Sequence, residues 1–210
     1  MRFARVGDRI YTLDRMGGIP VYGEKMIEID GKKFREWIPW RSKLGALLKI
    51  GELPFDLDGD ILYLGAAQGT TVSHISDMLE QGTIFAVEFS RAPFNKLMKI
   101  ARQRKNIVPI LEDAFHPEKY RSQVPKVDML YQDVSQKDQL GLFRKNAEMF
   151  LRDNGNGIIM VKARSIDVTA RPGDVFDEFR KGLVSYGYKV LDVIDMEPFQ
   201  KDHSAFVVEK

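Results

Sequence analysis

From residue 60 onward, short apolar runs alternate with amphipathic stretches. Strand-length runs fall at 61–64, 83–88, 107–111, 127–132, 157–162, 188–194 and 205–208, and helical periodicity at 70–80, 92–104, 137–150 and 174–186. Strands separated by crossover helices predict a parallel sheet with helices on both faces. The near-continuous apolar spelling of Ile158-Ile159-Met160-Val161 suits a strand covered on both sides. The last two runs are joined without a helix, so that pair is expected to be antiparallel. The first fifty residues read differently. Arg9-Ile10-Tyr11-Thr12-Leu13 alternates, and Asp30-Gly31 between Met26–Ile29 and Lys32–Trp37 favours a tight hairpin turn. This predicts a small antiparallel β unit, too small for a core of its own, packed on the larger C-terminal part of the chain. Ser42 is placed to N-cap a helix over Lys43–Ile50 with Leu44, Leu47 and Leu48 as its apolar stripe, ended by Gly51 and Pro54. The expected organisation is an N-terminal β unit and linking helix over 1–55, then one α/β domain over 56–210.

Composition changes this picture little. At 210 residues, 44% hydrophobic and 30% charged, the chain suits a soluble globular protein with one good core. No apolar stretch approaches the roughly 18 residues of a membrane span, and the N-terminus is broken by charge. With no cysteine and three scattered histidines, disulfides, thiolate chemistry and a histidine metal site drop out. The cytoplasm is the expected compartment. Residues 1–50 hold eleven Lys or Arg against six acids, although the whole chain is only +2, so basic surface is expected there.

Candidate chemistry gathers where the runs end, because open parallel sheets bind ligands beyond the carboxyl ends of their strands. The first run breaks into Gly65-Ala66-Ala67-Gln68-Gly69-Thr70-Thr71, a strand–glycine turn–helix pattern that brings a ligand against bare backbone and free helix N–H groups. Small residues recur at 65, 67 and 69, whereas a dinucleotide fingerprint would put its third glycine at position 70, which is Thr. Glu88-Phe89 ends the second run 23 residues past Gly65, where an acid usually grips a ribose diol. Glu112-Asp113-Ala114 follows the third run, Asp133-Val134-Ser135-Gln136 the fourth, and Lys162 closes the fifth. Each acid alone reads as a cap or a solvated loop residue. As a set they favour an adenosine-type ligand, with Glu88 on the ribose and Asp113 near the adenine edge. Lys162, directly after a buried strand, is either partly desolvated at the sheet edge or snorkels to solvent.

Several ordered blocks carry a resemblance. Val21-Tyr22-Gly23-Glu24-Lys25, Phe34-Arg35-Glu36-Trp37, Arg41-Ser42-Lys43-Leu44, Leu62-Tyr63-Leu64-Gly65-Ala66-Ala67, Gly69-Thr70-Thr71-Val72-Ser73-His74, Lys162-Ala163-Arg164-Ser165-Ile166-Asp167 and Lys201-Asp202-His203 resemble fibrillarin in its short archaeal form. The likeness spans nearly the whole chain. It implies a Rossmann-like S-adenosylmethionine-dependent methyltransferase sheet with an antiparallel last strand and a small N-terminal β extension. It also implies RNA 2′-O-ribose methylation as the catalytic subunit of box C/D guide ribonucleoproteins, on ribosomal RNA and also on transfer RNA. The implied partners are the guide and target RNA, a Nop-domain scaffold protein and a kink-turn-binding ribosomal-type protein, with no membrane association. Cofactor positions carried over from the family fall on Gly65, Ala66, Thr70, Thr71, Glu88, Phe89, Asp113, Ala114, Asp133, Val134, Ser135 and Gln136, and the active-site set on Lys43, Asp133, Lys162 and His203. Gln68 stands where members often carry Ser, and the Gly/Arg-rich arm of nucleolar members is missing. FtsJ-type 2′-O-methyltransferases follow a similar logic with glutamate as the fourth member, so His203 sides with fibrillarin.

On this reading Asp133 orients Lys162 toward the ribose, while Lys43 and His203 complete a polar ring. His74 reads as a packing or surface residue and His116 as a loop residue without a partner. Arg91–Lys105, with six Lys or Arg and no acid, is expected to show a basic outer face over a Leu97, Ile100, Ala101 core face. Competing readings are a free-standing methyltransferase, a non-enzymatic assembly subunit and, more distantly, a nicotinamide enzyme.

Overall fold

A computed structural model describes residues 2–210. Two sheets form. The N-terminal one has β1 (Phe3–Val6), β2 (Arg9–Leu13), β3 (Met26–Ile29) and β4 (Lys32–Glu36) in the order β1-β2-β4-β3, all neighbours antiparallel. Asp30 and Gly31 take positive φ (48° and 71°) in the β3–β4 turn, the conformation that an Asp-Gly hairpin turn requires. Strand β1 lies outside the predicted pattern, because two of its four residues are Arg or outward-facing Val.

The larger sheet holds β5 (Ile61–Leu64), β6 (Ile84–Glu88), β7 (Ile107–Leu111), β8 (Val127–Gln132), β9 (Leu151–Lys162), β10 (Lys189–Asp195) and β11 (His203–Glu209). Their order is β10-β11-β9-β8-β5-β6-β7; β5 to β9 pair in parallel and β11 runs antiparallel between β9 and β10. Strand β9 starts at Leu151 rather than near 157. Its first half is polar and passes through a register shift opposite Val127–Met129, with Asn154 at φ 60°, so it carries no apolar signal.

Side-chain alternation divides the core between the two faces. Ile61, Tyr63, Tyr131, Met160 and Ala205 point to one side, where α1 (Lys43–Ile50), α2 (Thr70–Met78) and α3 (Arg91–Ala101) pack with Ile10 and Trp37 of the N-terminal unit. Leu62, Leu64, Leu130, Ile159 and Phe206 point to the other, under α4 (Gln139–Phe150) and α6 (Pro172–Ser185). The N-terminal sheet has only Ala4, Tyr11 and Phe34 as a fully buried cluster of its own and shares the larger core, as its size demands. A one-turn helix, α5 (Ala163–Ile166), follows Lys162 directly.

Two charge expectations are corrected. Arg35 is fully buried and pairs with Glu24 and Asp77, each at 2.7 Å, so part of the N-terminal basic excess is internal. Helix α3 stops at Ala101, and Arg104 turns inward to Asp77 at 3.2 Å instead of joining a basic outer face. Arg91, Lys96, Lys99, Arg102 and Lys105 do stay exposed.

Candidate active site

Strand order reverses at β5, which has β6 on one side and β8 on the other, so the crevice opens where β5 and β8 end. Gly65 and Ala66 N–H both donate to the Val87 carbonyl at 3.0 Å, folding the loop across β6. Gly65 sits at φ 83°, and a Cβ there would overlap the Asp133 carbonyl oxygen. Only glycine lets the two strand ends approach this closely. Gly69, at φ 88°, turns the chain into α2, presenting Thr70 and Thr71 at the helix N-terminus. Glu88 accepts from Ala67 N–H (2.8 Å) and Ser90 N–H (2.7 Å), bracing the loop from the end of β6. Each carboxylate oxygen keeps a second lone pair for a ligand.

Alternation also assembles the charged set. Asp133 follows Tyr131 by two residues, Lys162 follows Met160 by two, and His203 precedes Ala205 by two. All three therefore emerge on the face occupied by α1. Lys162 and His203 are directly opposed in the β9–β11 register, where side chains of an antiparallel pair share a face. Ser42 caps α1 by accepting from Gly45 N–H at 3.1 Å, and the helix delivers Lys43 Nζ to Asp133 Oδ1 at 2.5 Å. Ser42 Oγ also lies 2.9 Å from Thr71 Oγ1, fastening the start of α1 to the start of α2. Asp133 is thus held by Lys43. Lys43 reaches Asp133 just past the end of β8, whereas Lys162 leaves the sheet from β9, one strand further on.

His203 Nδ1 lies 2.6 Å from the Lys201 carbonyl, which can only accept, so Nδ1 carries the proton and Nε2 keeps its lone pair. Burial lowers its pKa below the ordinary imidazole value, with Lys43 and Lys162 adding to the effect and the Lys201 bond and Asp133 opposing it. Lys162 and His203 face each other across β9 and β11, and Lys43 and Asp133 pair at the end of β8, the strand next to β9.

A cleft of about 270 Å³ beside this set is lined by Trp40, Ser42, Lys43, Tyr63, Gly65 to Gln68, Thr70, Thr71 and Asp133, with Arg41 and Gln200 at its edge. Glu88, Phe89, Asp113, Ala114, Val134, Ser135 and Gln136 stand outside that lining, along the carboxyl ends of β6, β7 and β8. Phe89 is 70% exposed; Ala114 is buried, with its carbonyl accepting from Asn146 at 2.8 Å; Asp113 accepts from Phe115 N–H at 2.9 Å. Ser135 and Gln136 are exposed, and Val134 packs toward Gly65.

Sequence reasoning missed several supporting residues. Gln139, fully buried, brackets the Lys162 backbone with two 3.2 Å bonds and receives Gln132 Nε2 on its own carbonyl at 2.8 Å. Tyr63 and Tyr131 lie under Asp133, with burial first and Asp133 second raising the Tyr63 pKa far above the ordinary value. Polar residues inside an apolar run were the available signal. His74 is a packing residue: it stacks on Trp37 at 4.8 Å and bonds Thr12 and Tyr22, each at 2.7 Å. His116 does have a partner, Glu118, at 3.1 Å.

The fibrillarin family model matches residues 1–210. The chain belongs to the fibrillarin family. It is 46% identical over 206 residues to the fibrillarin-like rRNA/tRNA 2′-O-methyltransferase of Thermococcus onnurineus, covering 97% of this chain and 91% of the relative. Among solved structures, a fibrillarin/Nop5p complex superposes with a TM-score of 0.90 at 44% identity, covering 99% of this chain and 96% of that one. Fibrillarin of Aeropyrum pernix with natively bound S-adenosyl-L-methionine superposes with a TM-score of 0.88 at 42% identity, covering 98% and 92%. The fold expected from the fibrillarin resemblance is the fold found: a Rossmann-like sheet with β11 antiparallel and a small N-terminal β sheet.

Proposed function

We propose that this chain is an S-adenosylmethionine-dependent RNA 2′-O-ribose methyltransferase, the catalytic subunit of a box C/D guide ribonucleoprotein acting on ribosomal and transfer RNA. Residues 56–210 are its methyltransferase domain, and 1–55 the β unit and helix that bring in Lys43. The observation that carries the reading is the convergence of Lys43, Asp133, Lys162 and His203 beside a glycine turn, in a chain of this family. The cleft suits the cofactor's chemistry. Bare backbone at Gly65 and Ala66 and the open N-terminus of α2 receive a carboxylate, and the Asp133 carboxylate favours a nearby cation. Glu88 and Phe89 take the ribose and a face of the adenine, Asp113 and Ala114 the adenine edge, and Val134 to Gln136 border the methionine side.

When bound, the cofactor supplies a methyl group already activated on a cationic sulfur, so no metal is needed. The chain's own work is to place a ribose in line and manage the 2′-hydroxyl proton, and positioning alone can remove roughly 7–11 kcal/mol of barrier. Lys162 stabilises negative charge developing on the 2′ oxygen. Asp133, held by Lys43, orients the polar ring. His203 Nε2, with its free lone pair, is available to the departing proton. Guide and target RNA, a Nop-domain scaffold and a kink-turn-binding protein complete the particle. Among the described residues no helix is long and apolar enough to cross a membrane, and the cytoplasm is the compartment this reading assigns. The test is ribose methylation by protein alone and by a reconstituted guide complex. Methylation only in the complex, at the guide-specified nucleotide, is expected; guide-independent methylation of a small molecule would overturn the assignment.

A further inference from the structure

Trp37 and Trp40 flank a rigid corner and face opposite ways. Trp37 is 0% exposed and stacked on His74, while Trp40, in the 3-10 turn Pro39–Arg41, is 61% exposed at the mouth of the cleft, three residues from Lys43. Phe199 meets the Trp40 indole edge-on, with centroids 4.8 Å apart and an interplanar angle of 62°, which fixes the indole while leaving much of it open to solvent. The neighbouring groove, about 340 Å³, joins the cleft at Arg41, Gln68 and Thr70 and carries Lys96 and Lys99. Arg41 is itself set in place, 4.9 Å above the Tyr22 ring and bonded to the Tyr22 carbonyl at 3.3 Å.

We propose that Trp40, braced by Phe199, is a stacking platform for a nucleobase of the substrate RNA next to the methylated ribose, with Arg41, Lys96 and Lys99 meeting its phosphates. This rests on the ribose-methylation reading of the cleft. An open aromatic face beside a row of cations is the pairing that single-stranded RNA uses: bases stack on the ring while phosphates follow the charge. The cofactor's adenine is assigned elsewhere, across the ends of β6 and β7, so the platform is not needed for it. A protein partner would be served by an apolar patch, but Trp40 shares its cleft with the polar side chains of Arg41, Lys43 and Gln200.

In the reconstituted guide complex, Trp40→Ala is expected to raise the KM for target RNA about tenfold, the scale of losing one base–aromatic stack. The KM for S-adenosylmethionine should move less than twofold, and Trp40→Phe, which keeps a π face, should recover most of the RNA affinity. Equilibrium binding of fluorescently labelled target RNA to the same complexes reads the platform without turnover, so it stays decisive even if wild type proves not to methylate ribose. An unchanged RNA affinity in Trp40→Ala overturns the proposal. So does loss of co-elution with the scaffold protein, which would make this face a protein contact.

Discussion

The chain contains two clusters of charged side chains, and they are built on opposite terms. Beneath the N-terminal sheet, Arg35, Arg104, Glu24 and Asp77 are two cations against two acids, with every side chain at most 3% exposed. At the sheet edge, Lys43, Lys162, Asp133 and His203 set two cations against one acid and a neutral imidazole, and Lys43 and Asp133 remain 19% and 18% exposed. The first cluster is charge-balanced and sealed. It ties β4 to α2, since Arg35 also donates to Ser73, whose hydroxyl donates to the Thr70 carbonyl at the start of that helix. The second leaves one positive charge over, at Lys162. A charge already neutralised by its neighbours is structural; a surplus one is available to a reacting group.

Removing the surplus charge should have the largest effect. Lys162→Ala is expected to lower the rate of methyl transfer by about 10²–10⁴-fold while calorimetric binding of S-adenosylmethionine stays near wild type. A variant that turns over normally would show the second cluster to be scaffolding like the first. Breaking the sealed cluster should act on stability instead. Arg35→Met strands the buried Glu24, leaves Asp77 with Arg104 alone, and is expected to cost about 3–5 kcal/mol in denaturant unfolding. If that variant unfolded at the wild-type midpoint, the ion pairs would carry no structural weight.

Protons offer a gentler probe. Burial, with Arg35 and Arg104 adding to it, holds the His74 pKa well below the ordinary 6.5, so the folded protein keeps it neutral. The unfolded chain takes up that proton below about pH 6.5, binds more protons than the native state, and so gains on it as the solution is acidified. His74 therefore makes stability fall below pH 6.5, by up to about 1.4 kcal/mol per pH unit. Asp77 acts with the opposite sign, since burial pushes its carboxyl up to about 6 against the pull of Arg104 and Arg35. The quantity to measure is accordingly the difference between wild type and His74→Gln across pH 5–7.5, and equal slopes would contradict the assignment. Smallest should be Ser42→Ala, which removes the α1 cap and the tie to Thr71, for about 1 kcal/mol of stability. Turnover falling further than cofactor binding in that variant would mark the tie as one that positions Lys43.

The parts legible in the sequence were those with local causes. Runs such as 107–111 and 127–132, the Asp-Gly hairpin and the Ser42 cap depend on neighbours in sequence, and the structure places them where the pattern did. The first half of β9 escaped because Arg152 to Gly155 lie in a register shift between paired Leu151 and Asn156, tied by backbone bonds to Lys210 and carrying no apolar run. At the site, the glycine turn and the acids at strand ends were readable as positions. What could not be read was who holds whom: Lys43 and Asp133 meet across 90 residues, and Gln139 reaches Lys162 from another element. The internal fate of Arg35 and Arg104 was equally hidden, because a basic residue carries no sequence mark of its partner.

Strand β11 lies between β9 and β10 although it follows both in the chain. Until it slots in, β10 has no neighbour in the sheet and Lys162 faces no histidine. Placing the last strand therefore gives β10 its neighbour and sets His203 opposite Lys162 in a single step.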